Sequence, residues 1–174
     1  MREIAEVARI RAVMREIGKA AREETSVYFT GGTSAVLLGW RSGTIDVDLQ
    51  FVPERDDLLR ILPALKEALH VNLELASPAD FIPALTGWEE RSVFIERQGK
   101  VSFFHYDFHA QALSKIERGH AVDRVDVAEM LRRGLVTKES LREKFETIWP
   151  NLYRYPAIDP ESFRGSLEEA LGGA

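Results

Sequence analysis

A chain of 174 residues with 45% hydrophobic side chains is long enough to bury the core of one domain. It contains no cysteine, which excludes disulfides, thiolate metal sites and a cysteine nucleophile, and its net charge of -5 argues against a surface that is basic throughout. Because the N-terminus is charged and no apolar run reaches the roughly 20 residues of a membrane span, we expect a cytoplasmic protein without a membrane partner.

The chain begins with a predicted helix, a short strand and a glycine turn. Residues 2–24 have apolar side chains three or four positions apart, as on one face of an amphipathic helix. Residues 27–30 are rich in strand-forming types and lead into Gly31 and Gly32. Thr33 is expected to cap a short second helix.

The next predicted strand, residues 44–52, has alternating apolar and polar side chains. Its apolar face is expected to pack on a core and consists of Ile45, Val47 and Leu49. Its polar face carries Asp46 and Asp48, which are roughly 6.5–7 Å apart because side chains on one face of a strand repeat every two residues.

The rest of the chain is predicted to form further strands and then helices. We expect a helix from Asp56 to about Leu69 that Pro63 kinks or splits, a strand at 71–76, a hairpin that turns at 98–100, and helices at 108–118, 123–133 and 138–149. This order indicates an α+β fold, with a sheet layer in the N-terminal part and a helical C-terminal part.

Two carboxylates as close as Asp46 and Asp48 repel each other unless a cation lies between them. Mg²⁺ suits this arrangement, since it takes oxygen ligands and typically combines one or two carboxylates with substrate phosphates and water. One or two such ions can stabilise the oxygens that attack and leave in phosphoryl transfer. The alternative is a half-exposed strand in contact with water, where acidic and apolar residues commonly alternate.

The glycine turn favours a ligand site over that alternative. Gly31 and Gly32 let the backbone approach a ligand closely, and Thr33 and Ser34 add hydroxyls near backbone N–H groups that attract anions. The short helix then returns the chain, so we expect the turn and the aspartates to face the same cleft.

The sequence GGTS at 31–34, followed after eleven residues by DVD at 46–48, resembles the signature of the DNA polymerase beta-like nucleotidyltransferases. The resemblance is closest to the bacterial AbiEii/MenT-type toxin nucleotidyltransferases and their uncharacterised relatives. It implies a mixed sheet flanked by helices. It also implies the following ligand sets: a triphosphate held by Gly31, Gly32, Thr33 and Ser34, and Mg²⁺ held by Asp46 and Asp48. The implied organisation is one nucleotidyltransferase domain over 1–174, with a sheet-containing catalytic core at 27–107 and a mainly helical part at 108–174.

A third acid on a later strand is also implied by the resemblance. Glu74 is the best candidate, since it shares a strand face with Asn72, and it would complete the metal site and serve as the general base. Asp107 is the alternative, although an N-cap role also explains it. Arg41 and Thr44, just before the aspartates, are further candidates to line the site.

The sequence KIERGHAVDRVD, residues 115–126, is similar to a second motif of the toxin-like branch. The resemblance implies that Lys115 contacts nucleotide phosphate, and that Asp123 or Asp126 positions Lys115 or acts on the substrate. From the residues alone, without the glycine and aspartate motif, surface charge with acids at a helix N-terminus is the favoured interpretation.

Together these patterns predict a magnesium-dependent nucleotidyltransferase that moves an NMP from an NTP to a hydroxyl of an RNA, such as tRNA, or of a protein. The resemblance implies a role as the toxin of a toxin–antitoxin pair, with a cognate antitoxin as partner, or as an antitoxin that nucleotidylates its partner. The alternative is a non-catalytic module on the same fold that binds nucleotide or another protein.

Overall fold

The computed structural model describes residues 3–172 and confirms the α+β prediction. Its strands are β1 Thr25–Thr30, β2 Asp46–Val52, β3 Asn72–Leu75, β4 Val93–Gln98 and β5 Val101–His105. Its α-helices are α1 Val7–Ala20, α2 Gly32–Leu38, α3 Asp56–Ala68, α4 Trp88–Arg91, α5 Phe108–Arg118, α6 Ala121–Arg132, α7 Lys138–Ile148 and α8 Pro160–Ala170. Short 3₁₀ helices cover Pro78–Asp80 and Trp149–Arg154.

The chain divides into two compact units. The first unit contains the sheet and consists of the chain through Ser77 together with Ser92–Tyr106. The second unit consists of Pro78–Arg91 and the chain from Asp107 onward, which is helical. The predicted helical C-terminal part is therefore confirmed, and the single domain over 1–174 stays a prediction.

The first unit is built on a five-stranded mixed sheet with the strand order β3-β2-β1-β5-β4. The central strand β1 is antiparallel to β2 and parallel to β5. At the edges, β3 is parallel to β2, and β4 is antiparallel to β5, which confirms the predicted hairpin. Because β3 lies directly beside β2, residues on these two strands are close neighbours although a helix separates them in sequence.

One face of this sheet packs against α1 and α3 in a continuous core. The core includes Ile10, Met14, Ile17, Val27, Phe29, Val47, Leu49, Leu58, Leu73, Val101 and Phe103. The predicted apolar face of β2 is thus confirmed for Val47 and Leu49, but it is wrong for Ile45, whose side chain is 69% exposed. The reason is that β2 begins only at Asp46, while Thr44 forms an isolated antiparallel bridge with Ala5.

The same bridge shortens the first helix. The predicted helix over 2–24 begins at Val7, because the Ala5 N–H donates to the Thr44 carbonyl at 2.7 Å and holds that segment extended. Residue 2 lies outside the described residues. The predicted split at Pro63 is wrong, since α3 continues through this exposed proline with its buried leucines on the opposite face.

In the second unit, α5 contacts α6, α7 and α8. An aromatic cluster on α7 and α8 adds to this packing, with the rings of Phe145 and Phe163 meeting edge to face at 4.9 Å. The Arg164 guanidinium lies 4.2 Å from the centroid of the Trp149 ring, in a cation–π contact. Across residues 3–172, no helix has both the length and the apolar character that crossing a membrane requires.

Candidate active site

The glycine turn between β1 and α2 lies directly against the carboxylate of Asp48. Gly31 has a φ of 62° and a ψ of -136°, a conformation that side-chain-bearing residues rarely adopt. A Cβ atom at Gly31 would lie 2.9 Å from Oδ2 of Asp48. The predicted meeting of the turn with the aspartate strand is therefore observed at this position, and the absence of a side chain on Gly31 makes it possible.

The acids of β2 and β3 form a patch on one face of the sheet. Asp46 and Asp48 are two positions apart and share that face, and Asp48 is the register partner of Glu74 on β3. Asn72 is the register partner of Asp46, and its Nδ2 donates to Asp46 Oδ1 at 2.6 Å and to Glu74 Oε1 at 2.7 Å. The structure thus brings all three predicted acids of this unit together, with the Asn72 amide joining two of them.

The two hydroxyls of the turn are directed into the protein. Thr33 and Ser34 are 0% exposed, and the Thr33 Oγ1 accepts a hydrogen bond from the Asp48 N–H at 3.3 Å. The prediction that Thr33 caps α2 is wrong, because Gly31 occupies the N-cap position and Thr33 lies inside the helix. The Thr33 hydroxyl therefore fastens β2 to the turn.

The Ser34 hydroxyl forms hydrogen bonds to β1 and to its neighbour β5. Its Oγ donates to the Phe29 carbonyl at 3.3 Å and lies 3.0 Å from Nδ1 of His105 on β5. Burial lowers the pKa of His105 to about 4, so its imidazole is neutral near pH 7. This neutral histidine joins the glycine turn to the strand on the far side of β1.

The second predicted motif forms a buried ion cluster within the helical unit. Lys115 on α5 is 4% exposed, and its Nζ lies 2.7 Å from Asp126 Oδ2 and 3.4 Å from Asp123 Oδ1. Arg118 donates its Nε–H to Asp123 Oδ2 at 2.8 Å. Burial alone would raise the pKa of Asp123, but the hydrogen bond from Arg118 and the neighbouring cationic charges hold it below its ordinary value.

A cavity of about 260 Å³ lies beside this cluster. Residues of α5, α6 and α8 line it, among them Lys115, Asp123 and Arg124. The alternative of surface charge is therefore wrong for Lys115, Asp123 and Asp126, which are buried and paired with one another.

Residues 5–151 match the protein family described as "Nucleotidyltransferase of unknown function (DUF6036)". The chain belongs to this nucleotidyltransferase family. Comparisons with curated proteins and with solved structures give no match. Family membership confirms the predicted enzyme class and, with the mixed sheet, the predicted fold; a nucleotide is the substrate that this class of enzyme requires.

In this nucleotidyltransferase, the acid patch has the right chemistry for Mg²⁺. Its donors are carboxylate oxygens, which this hard cation prefers, and two carboxylates suffice because phosphates and water complete the coordination shell. Within residues 3–172, no three acidic or histidine side chains are already arranged around a common metal position. Asp46 and Asp48 thus fit as ligands, while the completion of the site by Glu74 stays a prediction.

The alternative third acid, Asp107, belongs to the helical unit of the nucleotidyltransferase and is the N-cap of α5, as its sequence position suggested. Its side chain accepts from the His109 N–H and pairs with Arg91 at 2.7 Å. Burial would raise the pKa of Asp107, but the hydrogen bonds from His109 and Arg91 lower it. These contacts account for Asp107 without a metal.

The contact of His105 with the glycine turn was not predicted. The sequence assigned His105 to a strand-like run, but nothing local indicates a bond to Ser34, which lies 71 positions away. Only the parallel pairing of β1 with β5 brings the two residues together.

Proposed function

We propose that this chain is a magnesium-dependent nucleotidyltransferase that moves an NMP from an NTP to a hydroxyl group of an RNA, such as tRNA, or of a protein. One observation carries the proposal: the carboxylate of Asp48 lies against Gly31, and Asp46 and Glu74 share its face of the sheet. A phosphate-binding turn and metal-binding acids at one place are what this chemistry requires.

In this proposal, the backbone of the turn holds the triphosphate at Gly31, Gly32, Thr33 and Ser34. This assignment is to the backbone because the hydroxyls of Thr33 and Ser34 are buried and bonded within the unit. Asp46 and Asp48 would hold one or two Mg²⁺ ions, with Glu74 beside them. When bound, Mg²⁺ would neutralise the negative charge that develops on the phosphate oxygens.

The reaction would be an in-line displacement at the α-phosphorus. The acceptor hydroxyl oxygen forms a bond to phosphorus, the bond from phosphorus to the bridging oxygen breaks, and pyrophosphate leaves. Glu74 would take the proton of the hydroxyl, since its carboxylate lies in the acid patch. Lys115 would contact a nucleotide phosphate, and Asp123 and Asp126 would hold its ammonium group.

The biological role that we propose is that of a toxin with a cognate antitoxin, and its support is the resemblance of two motifs to the AbiEii/MenT-type branch. The second motif has the geometry expected if Asp126 positions Lys115. An antitoxin that nucleotidylates its partner toxin is the alternative within the same chemistry.

The test uses the purified full chain, Mg²⁺ and each of the four NTPs labelled at the α-phosphate, with total tRNA and, separately, the product of a neighbouring gene as acceptor. We expect label to pass to one acceptor, and we expect the Asp46→Asn/Asp48→Asn variant to transfer none. Failure of all four labelled NTPs to bind or react would overturn the proposal. Magnesium-dependent binding without transfer to any acceptor would instead support the non-catalytic module.

A further inference from the structure

The chain that leaves α2 turns back along that short helix toward the glycine turn. Gly39 ends the helix with a φ of 90°, in the left-handed conformation. The N–H groups of Gly39, Trp40 and Arg41 all lie within 3.3 Å of the Ala35 carbonyl oxygen. Because three successive N–H groups share this one carbonyl, the chain turns sharply and runs at Arg41 back toward the beginning of α2.

The guanidinium of Arg41 consequently reaches the glycine turn. A Cβ atom at Gly32 would lie 3.0 Å from Arg41 Nη1 and 2.3 Å from Thr44 Oγ1. The Thr44 hydroxyl in turn donates to the Asp46 carbonyl at 3.0 Å, so the segment after α2 is anchored to the start of β2. The backbone bond of Arg41 to Ala35 and the anchoring of Thr44 thus hold the segment that carries Arg41 beside Gly32.

Adjacent glycines of the turn thus lie beside groups of opposite charge. A Cβ atom on Gly31 would meet the Asp48 carboxylate, and a Cβ atom on Gly32 would meet the Arg41 guanidinium. An anionic ligand bound at this turn would lie beside the Asp48 carboxylate at Gly31 and beside the Arg41 guanidinium at Gly32. Guanidinium groups bind phosphate through two parallel N–H···O bonds, and arginine stays charged at all physiological pH values.

We propose that Arg41 binds the terminal phosphates of the nucleotide and makes this site select nucleoside triphosphates over monophosphates. The inference rests on the proposed function, because it assumes that the turn holds the nucleotide. During the reaction these phosphates become the leaving pyrophosphate, whose growing negative charge a guanidinium at Gly32 stabilises.

The test measures the affinity of the full chain for ATP, ADP and AMP by calorimetry in Mg²⁺, and then for the corresponding series of any base that binds more tightly. We expect the wild-type protein to bind the triphosphate more tightly than the monophosphate. In Arg41→Gln this preference should fall by about 10- to 100-fold, the value of hydrogen bonds to a charged group, while monophosphate affinity stays unchanged. Arg41→Lys should retain part of the preference, because it keeps the charge but loses the bidentate geometry.

Arg60→Gln is the matched control, since Arg60 is exposed on α3, and it should leave the preference unchanged.

An equal loss of affinity for all three nucleotides in Arg41→Gln would indicate a structural role and overturn the inference. An unchanged preference in Arg41→Lys would overturn bidentate binding even if Arg41→Gln fails to fold. If Arg41→Gln keeps the full preference while Asp46→Asn loses triphosphate binding, the inference fails and the proposed function stands. If the wild-type chain binds no nucleotide, both fail.

Discussion

The acids of the sheet and the acids of α6 lie in contrasting surroundings. Asp46 and Asp48 are partly exposed on one face of β2, next to Glu74 on β3, and the Asn72 amide donates to both Asp46 and Glu74. Asp123 and Asp126 are 0% exposed and are held by the Lys115 ammonium and, at Asp123, by the Arg118 guanidinium. The first group brings three carboxylates together on one face of the sheet, and the second pairs its buried carboxylates with cationic side chains.

This difference separates two uses of acidic residues in one chain. Like charges on neighbouring strands destabilise a sheet, and carboxylate oxygens are the ligands that Mg²⁺ prefers, so a partly exposed acid patch has the chemistry to take up a cation. Removing the cationic partner of a buried acid lowers the free energy of unfolding far more than exposed repulsion does. The cluster of Lys115, Asp123 and Asp126 therefore stabilises the folded state as well as serving any phosphate contact. We therefore expect substitutions in the two groups to affect different quantities.

The largest effect is expected from Asp46→Asn/Asp48→Asn. Nucleotidyl transfer should fall by at least about 10³-fold, because under the proposed function these carboxylates hold the Mg²⁺ that neutralises the charge developing on the phosphate oxygens. The free energy of unfolding should stay the same or rise, since the substitution removes repulsion within the sheet. Transfer assays and urea unfolding measure both. Glu54→Gln, at an exposed position after β2, should change neither, and a large loss of stability in the double variant would contradict the contrast.

Lys115→Met tests the balanced cluster. It leaves Asp123 and Asp126 buried without the ammonium group, so we expect a loss of about 3–5 kcal/mol in the free energy of unfolding. Chemical denaturation measures this loss. Lys138→Met, at an exposed position of α7, should stay within about 0.5 kcal/mol of the wild type. Wild-type stability in Lys115→Met would mean that the cluster is not balanced by this lysine.

The pH dependence of stability tests His105. Its folded pKa of about 4 lies below the value of about 6.5 in an unfolded chain. Between these pH values the unfolded state binds a proton that the folded state excludes. The contribution of His105 to the free energy of unfolding is therefore full above about pH 6.5 and decreases toward pH 4, by up to about 3 kcal/mol.

His105→Gln should lose this slope between pH 6.5 and 4, which urea unfolding across that range measures. His120→Gln is the control, since its side chain is 66% exposed, and it should retain the wild-type slope. An identical slope in wild type and His105→Gln would show that His105 is not the group excluded from protonation.

The smallest effects separate the two candidates for the third acid. Glu74→Gln should lower transfer by about 10²-fold, as expected on loss of a general base, with little change in stability. Asp107→Ala should instead lower the free energy of unfolding by about 1–3 kcal/mol, because it removes the cap of α5 and the partner of Arg91. The reverse result, with activity lost in Asp107→Ala and stability lost in Glu74→Gln, would exchange their roles.

The sequence predicted the parts of this site that depend on local periodicity. Alternation identified the shared face of Asp46 and Asp48, and it identified Val47 and Leu49 as core residues. Alternation failed at Ile45, because the bridge between Thr44 and Ala5 decides where the strand begins, and that pairing is not local. The N-cap of α2 was assigned to Thr33 because threonine is a favoured capping residue, but the N-cap is Gly31. The closeness of Asp48 to Gly31 depends on the pairing of β1 with β2, which local sequence does not show.

Burial was the other quantity that the sequence could not supply. Helical spacing placed Lys115 three residues from Arg118, and Asp123 three residues from Asp126, which fits a solvated surface as well as a buried cluster. The packing of α6 and α8 around α5 encloses three of these side chains. Likewise, Asn72 was recognised as a neighbour of Glu74, but its second bond to Asp46 required the register of β3 on β2.

The central position of β1 also bears on how the protein folds. Tyr28 pairs with Gln50 across a short stretch of chain, and with Phe104 across a stretch more than three times as long. Because closing a longer loop costs more entropy and non-local pairing slows folding, we expect the antiparallel pair of β1 and β2 to form before β5 is added. The glycine turn and both aspartates belong to this β1-α2-β2 segment, so they would meet while a chain still being synthesised has yet to supply His105.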